Sequence, residues 1–316
     1  MTMLRSVPVA CVGAMLILIA IGLVLPEWAM FLTTMAFAKG LVALGIVCLM
    51  RAGLVSFGQG LYFCIGAYVS GLMASWTGIS DIFLLSVLGI LAAGIVAAIF
   101  GPLLATYRGI FFAMLTLSLS MILYGFLSKL SVLGGTDGLN VTAPTFLGYA
   151  PEGRALGLAL YGFTCTIVVI AGGLMRTFFD SEHGLIALAI RDNELRVEYL
   201  GASVRTEIAV SYGFAAILGG LGGVIAGLAI GHVDPEFSYW TTSGEFVFVA
   251  ILSGYFSIGA VFIASVVLEV VRSFSNLYFP NTWQLSLGIF LVVVILVLPN
   301  GLGSILSRLK KSERSS

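Results

Sequence analysis

The sequence predicts an all-α polytopic integral membrane protein of about ten transmembrane helices, one of them short or re-entrant, with both termini cytoplasmic. Three observations carry this expectation. Hydrophobic residues make up 59% of the 316 and charged residues 9%, against roughly 25% charged in a soluble domain, and mean hydropathy is +1.11. Such a chain lacks the polar surface to face water and is too apolar for disorder. The apolar residues also run in continuous stretches rather than in alternating ten-residue strands, which excludes a β-barrel. Finally, Lys plus Arg and Asp plus Glu are both 15, so no basic excess exists to neutralise phosphates, and nucleic acid is not an expected partner.

A bilayer-spanning helix needs about 20 apolar residues. Segments at 7–25, 29–50, 55–77, 82–106, 109–130, 155–176, 207–231, 244–255, 257–277 and 283–299 are the candidates. They leave no room for a separate soluble domain, so residues 1–316 read as one transmembrane domain. In the first segment Arg5 precedes an apolar run, as in a secretory signal. No A-x-A-like cleavage site precedes Pro26-Glu27-Trp28, however, so it reads as a retained helix. The four cysteines, Cys11, Cys48, Cys64 and Cys165, lie inside apolar segments without metal-type spacing and read as small core residues.

Between the second and third segments, the run Arg51-Ala-Gly-Leu-Val-Ser-Phe-Gly-Gln59 interrupts the apolar stretch with polar groups and glycines. It reads either as a cytoplasmic turn or as a broken helix of the kind that puts backbone groups next to substrate. In segment four, Gly89, Ala93, Ala97 and Gly101 repeat at i,i+4. In segment seven, Ser211, Ala215, Gly219, Gly223, Gly227 and Gly231 form a longer series. Small-xxx-small ridges let helices approach closely in lipid, so these glycines are read as packing positions, with a sliding surface as the functional alternative.

Ten of the thirty formal charges fall in 176–207, and the segment at about 177–206 reads as one or two short helices broken at Gly184 and Gly201. Asp192 and Arg196 stand at i,i+4, a supportive pairing. Ile186, Ile190 and Val197 form an apolar stripe, which favours a docking element over a plain solvated linker. The positive-inside rule puts Arg51, Arg108, this segment and the tail Arg308, Lys310 and Lys311 on the cytoplasmic side. That leaves 131–154 and 232–243 outside, and it requires 244–277 to cross twice. Residues 244–255 are short for a span, and irregular backbone survives at membrane depth only where protein or water surrounds it.

No G-x-x-x-x-G-K-[ST] phosphate loop occurs, so the chain cannot cradle ATP by that route. His183 and His232 are the only histidines, so no H-E-x-x-H zinc site is possible. His232, Asp234 and Glu236 read as a hydrated loop, and no metal site is assigned. No catalytic residues are assigned either, since no nucleophile elbow is present. Lys39, Glu245 and Glu269 fall within apolar segments and are functional candidates by default. They are what a self-sufficient secondary transporter or channel would use as an ion relay.

Gly53-Leu-Val-Ser-Phe-Gly-Gln59, followed by Ile65-Gly-Ala-Tyr68, resembles the early "G-L-x-S-x-G-[HQ]…G-A-Y" stretch of branched-chain amino acid ABC transporter permeases. Gly134-Gly-Thr-Asp-Gly-Leu139 is similar to their outer "G-G-T-x-G-L" loop. Ala187-Leu-Ala-Ile-Arg-Asp-Asn-Glu194, then Leu200-Gly201, resembles their cytoplasmic "A-I-R-[DE]-N-E…L-G" segment. Ser243-x-Glu245 and Leu298-Pro-Asn-Gly-Leu302 match late motifs. The likeness spans roughly 40–305, departing at Arg51 and at Ser253-Gly254-Tyr255-Phe256, where a Gly-Gly-x-Gly turn is usual.

The resemblance implies a permease subunit of an ABC importer in the bacterial cytoplasmic (inner) membrane. It would carry a branched-chain or other hydrophobic amino acid; urea, short amides and small organic acids are the alternatives. Implied partners are a second, homologous permease as heterodimer, two cytoplasmic ATPase subunits that use the ATP and Mg, and a periplasmic or lipid-anchored solute-binding protein. The chain itself would bind no cofactor. Ala187, Ile190, Arg191, Asp192, Asn193, Glu194, Leu200 and Gly201 would contact the ATPases. Ser56, Gln59, Thr136 and Asp137 would line the path or its outer mouth.

Overall fold

The computed structural model describes residues 13, 15–255, 257–297 and 301–303. Arg5, Cys11, Phe256, the stretch 298–300 and the basic tail with Arg308, Lys310 and Lys311 lie outside the described residues. The chain forms α1 (Met15–Val24), α2 (Glu27–Arg51), α3 (Gln59–Thr77), α4 (Ile82–Leu104), α5 (Gly109–Lys129) and α6 (Arg154–Asp180). There follow α7 (Glu182–Asp192), α8 (Glu194–Tyr199), α9 (Val204–Ile230), α10 (Trp240–Ser253), α11 (Ile258–Tyr278) and α12 (Trp283–Val297). Two short strands, β1 (Leu139–Asn140) and β2 (His232–Val233), pair antiparallel. Among the described residues six helices, α2, α4, α5, α6, α9 and α11, are long and apolar enough to cross a membrane. The chain is a multi-pass helical membrane protein.

Two helices form the axis. In α2, 89% of the apolar window is buried, and in α9 72%, whereas α5 buries only 22%. The remaining helices therefore surround an α2–α9 pair. Small residues permit this closeness. A Cβ at Gly45 of α2 would stand 2.8 Å from Ala215 Cα, and one at Gly222 of α9 would stand 2.5 Å from the Ala38 carbonyl. On another side of α9, Gly219 faces Gln59 and Tyr62, Gly223 meets the Phe63 carbonyl, and Gly227 faces Ala67 and Ser70. Numbers rise together along both helices, so α3 and α9 run parallel. Gly231 differs from the other three. It adopts φ +74° as the left-handed cap of α9, and a Cβ there would meet nothing closer than 3.9 Å. Its role is helix termination, not close approach.

These contacts set depths. Gly219 lies fifteen residues from the start of α9, about 22 Å at 1.5 Å per residue, which is near the middle of the span. Gln59 is beside it. Thus α3 does not begin at a membrane surface. The extended stretch 54–58 climbs from the end of α2 to mid-depth, where the helix starts.

A second interruption corrects the expectation that 232–243 lies outside. β2 is level with Gly71, yet Phe237 packs on Phe63 with ring centroids 5.3 Å apart and Ser238 reaches Ser120 of α5. A Cβ at Gly60 would stand 3.2 Å from the Phe237 carbonyl, so the chain from β2 descends alongside α3 from the level of Gly71 to that of Gly60, eleven residues of helix rise or about 16 Å. Its short 3₁₀ turn Pro235–Ser238, N-capped by Asp234, leads into α10 at mid-depth. A fourteen-residue helix covers about 21 Å, and the descending strand supplies the rest of the crossing.

Elsewhere local chemistry fixes the ends. One Asp81 carboxylate oxygen caps α4 by accepting from Phe83 N and Leu84 N, and the other accepts from Leu147 N at 2.7 Å, tying the 144–149 loop down. Tyr161 Oη donates to the Leu18 carbonyl and holds α1 on α6.

Candidate functional site

The two interrupted helices meet. Gly60 N, in the first turn of α3, donates to Ser243 Oγ in the first turn of α10 at 3.2 Å. Ser120 Oγ donates to the Ser238 carbonyl at 2.7 Å, and Phe57 N donates to Thr116 Oγ1 at 3.2 Å. Two stretches of non-helical backbone are thus satisfied at membrane depth by hydroxyls from α5 and α10, as the absence of bulk water there requires. Ser56 and Gln59 are fully buried at this junction. Ser56 Oγ accepts from Gly58 N. Both amide atoms of Gln59, and the hydroxyls of Tyr62 and Tyr212, have no hydrogen-bond partner among the described residues. Thr136 and Asp137 are elsewhere. They occupy an exposed 3₁₀ turn beyond the far end of α5, bonded to each other at 3.3 Å. Ser56 and Gln59 are thus separated from Thr136 and Asp137 by roughly half a span.

Beside the junction lies a network of four charges. Lys39 Nζ of α2 sits 2.8 Å from Glu269 Oε2 of α11 and 3.3 Å from Glu245 Oε2 of α10. Arg272 Nε lies 3.4 Å from Glu245 Oε1, and its Nη1 lies 3.7 Å from Glu269 Oε1. Sequence reading singled out the first three residues but missed Arg272, whose signal is its i+3 spacing from Glu269. The network is formally neutral and closed. Every carboxylate oxygen here has a cation within 3.7 Å. His232, Asp234 and Glu236 are not gathered: His232 Nδ1 lies 3.2 Å from Asn140 Oδ1, and Asp234 caps its own turn.

The charged segment folds back on the helix ends. The chain breaks at Ser181 and Asn193, not at Gly184. That glycine is buried inside α7, where a Cβ would stand 2.5 Å from the Phe178 and Phe179 carbonyls. Asn193 Oδ1 caps α8 by accepting from Arg196 N at 3.0 Å. This break puts Asp192 and Arg196 on different helices, so the i,i+4 geometry expected of them is not present. Gly201, at φ +90°, ends the segment.

Glu194 Oε1 accepts from Arg108 Nε at 2.7 Å, while Arg108 also donates to the Ala105 and Tyr107 carbonyls. Arg205 donates to the Pro102 carbonyl. The Arg191 guanidinium stacks 3.9 Å from the Tyr255 ring. The expected docking stripe also points inward. Ile190 and Val197 are 2% and 4% exposed and Ile186 is partly buried, all three packing on the chain's own helices; Ala187 is buried as well. The outward apolar face is a different set: Leu195 at 65%, Tyr199 at 89% and Leu200 at 82% exposed. Leu195 and Tyr199 stand four apart on α8, a spacing legible in the sequence but passed over.

The chain matches the family described as "Branched-chain amino acid transport system / permease component" over residues 28–298. It is 25% identical over 296 residues to the high-affinity branched-chain amino acid transport system permease protein LivM of Escherichia coli (strain K12), covering 86% of this chain and 69% of that one. The LivM protein of Salmonella typhimurium (strain LT2) matches with the same identity and coverage. No solved structure matches.

Proposed function

Because this chain belongs to the family of permease components of branched-chain amino acid transport systems, we propose that it is the membrane-spanning subunit of an ABC importer for a branched-chain or similar hydrophobic amino acid. Its home is the bacterial cytoplasmic membrane, with both termini inside and a second, homologous permease beside it. ATP and Mg belong to two separate ATPase subunits, and a periplasmic or lipid-anchored protein delivers the solute.

The observation that carries this reading is the cytoplasmic segment α7–α8. Its inner face is bolted to the α4–α5 turn and to α9 by Arg108–Glu194 and by buried Ile190 and Val197. Its outer face presents Leu195, Tyr199 and Leu200 to whatever lies below. Motion delivered there passes rigidly to the α2–α9 axis, and from it to the half-helices α3 and α10 that meet at mid-depth. Closure of an ATPase dimer is such a motion, and alternating access follows as the half-helices part or meet.

The test is reconstitution. Vesicles holding this chain with its partner permease and ATPases take up labelled leucine on addition of ATP and binding protein, whereas the chain alone neither hydrolyses ATP nor takes up leucine. Leucine uptake by the chain alone, driven by an ion gradient, would overturn the proposal in favour of a secondary transporter.

A further inference from the structure

The four-charge network differs from a purely structural ion cluster in one respect. Lys39 is 7% exposed, and Glu245 and Glu269 are 11% and 14%, but Arg272 is 35% exposed. Arg272 lies six residues from the end of α11, about 9 Å along the axis. A long basic side chain near a helix end ordinarily snorkels toward the membrane surface. Arg272 instead reaches back toward Glu269, one turn deeper, and across to Glu245. A guanidinium exposed at that depth cannot rest in hydrocarbon, so water or protein covers it.

Its bonds are also the loose half of the network. Arg272 makes contacts of 3.4 and 3.7 Å where Lys39 makes 2.8 and 3.3 Å. The Trp283 ring of α12 lies 5.4 Å from the guanidinium carbon and walls one side. Guanidinium carries five N–H donors in a fork that fits a carboxylate bidentately, and these two contacts leave that fork largely unspent.

We propose that this network is the intramembrane recognition site for the charged groups of a zwitterionic α-amino acid. Arg272 takes the carboxylate, and Glu269 with Glu245 takes the ammonium as the Arg272 contacts open. The proposal rests on the preceding reading that the solute is an amino acid and deepens it. A zwitterion is neutral overall, yet neither charge tolerates low dielectric unpaired. A neutral cluster offering both signs within one side-chain length meets both needs. Empty, the cluster satisfies itself; filled, it exchanges the two long Arg272 contacts for pairs with the solute's carboxylate and ammonium, and net charge stays zero throughout. Lys39, fixed on the buried helix α2, stays paired with Glu269 and Glu245 in either state.

The experiment uses the assembled transporter, with partner permease and ATPases, in nanodiscs without binding protein. Labelled leucine binds saturably. 4-Methylpentanoate, which lacks only the ammonium, and 3-methylbutylamine, which lacks only the carboxylate, do not displace it at equal concentration. Arg272→Gln, at wild-type abundance, weakens leucine binding by about tenfold or more, the scale of one lost charge-assisted hydrogen bond. Arg272→Lys, which keeps the charge and the fold, loses less but measurably. Wild-type leucine binding in both variants, or competition by either single-charge analogue as effective as leucine itself, overturns the inference. So does the absence of saturable binding in a wild-type transporter that takes up leucine in vesicles. If the vesicles take up another solute and no amino acid, the preceding reading falls instead.

Discussion

A methyl group decides the fate of the central interface. A Cβ at Gly220 would stand 2.6 Å from Ala93 Cβ, and one at Gly223 would overlap the Phe63 carbonyl, whereas one at Gly213, on the same helix, meets nothing within 4 Å. Gly223→Ala therefore forces α3 away from α9, at a cost of about 1–3 kcal/mol for overpacking. Gly213→Ala is neutral or stabilising by up to about 1 kcal/mol, because alanine is the better helix former. Thermal unfolding of the detergent-solubilised protein checks both, and equal melting temperatures for the two variants would refute the close-approach account. The i,i+4 small-residue series was visible in the sequence, and Gly219, Gly223 and Gly227 of it face α3 closely. Gly231 does not, because spacing alone cannot separate a packing glycine from one needed for a positive φ at a helix end.

At the scale of elements, apolar stripes proved easy to see and hard to aim. Ile190 and Val197 were legible as one face, but a stripe records burial without saying whether the chain itself or a partner provides it. Here the chain provides it, and the face left exposed is the opposite side of α8, which the proposed function assigns to the partner. Tyr199→Ala combined with Leu195→Ser should therefore leave the permease at wild-type abundance and cut ATP-driven uptake by about tenfold or more, as loss of two interface anchors does. Ile190→Ser instead lowers abundance, because it buries an unpaired hydroxyl. Uptake and immunoblot on the same membranes separate the two effects, and unchanged transport in the α8 variant would remove that helix from the coupling surface. The Arg108–Glu194 pair, 31% and 39% exposed, contributes only about 0.2–1 kcal/mol as a solvent-accessible bridge. Its value is in fixing the position of α8, so exchanging the two residues should restore most of the uptake that Glu194→Arg alone removes.

For the whole molecule, the question is which way the chain faces. Continuous apolar runs made the long spans legible, but α3 and α10 were mis-bounded for a physical reason. Hydropathy reports residence in a low-dielectric place: the stretch 54–58 resides there without being helical, whereas α10 begins at Trp240, ahead of the apolar run, because the 3₁₀ turn Pro235–Ser238 leads straight into it. Backbone groups at both places are satisfied by Thr116, Ser120 and Ser243, partners remote in sequence that no local pattern announces. Counting the descending strand plus α10 as one crossing restores the parity that the positive charges demand. On that count the proposed orientation has Arg108 and the α7–α8 segment in the cytoplasm and the 144–149 loop outside.

Single cysteines test this against a quiet background, since Cys48, Cys64 and Cys165 are buried and Cys11 can be replaced by serine. Tyr149→Cys, 67% exposed, should react with a membrane-impermeant maleimide in intact cells whose outer membrane is permeabilised. Tyr199→Cys should react only after the inner membrane is opened. Labelling of both from the same side would mean that the stretch from α6 to α8 does not cross as described. The reverse pattern would invert the molecule, placing Leu195, Tyr199 and Leu200 where no ATPase could reach them.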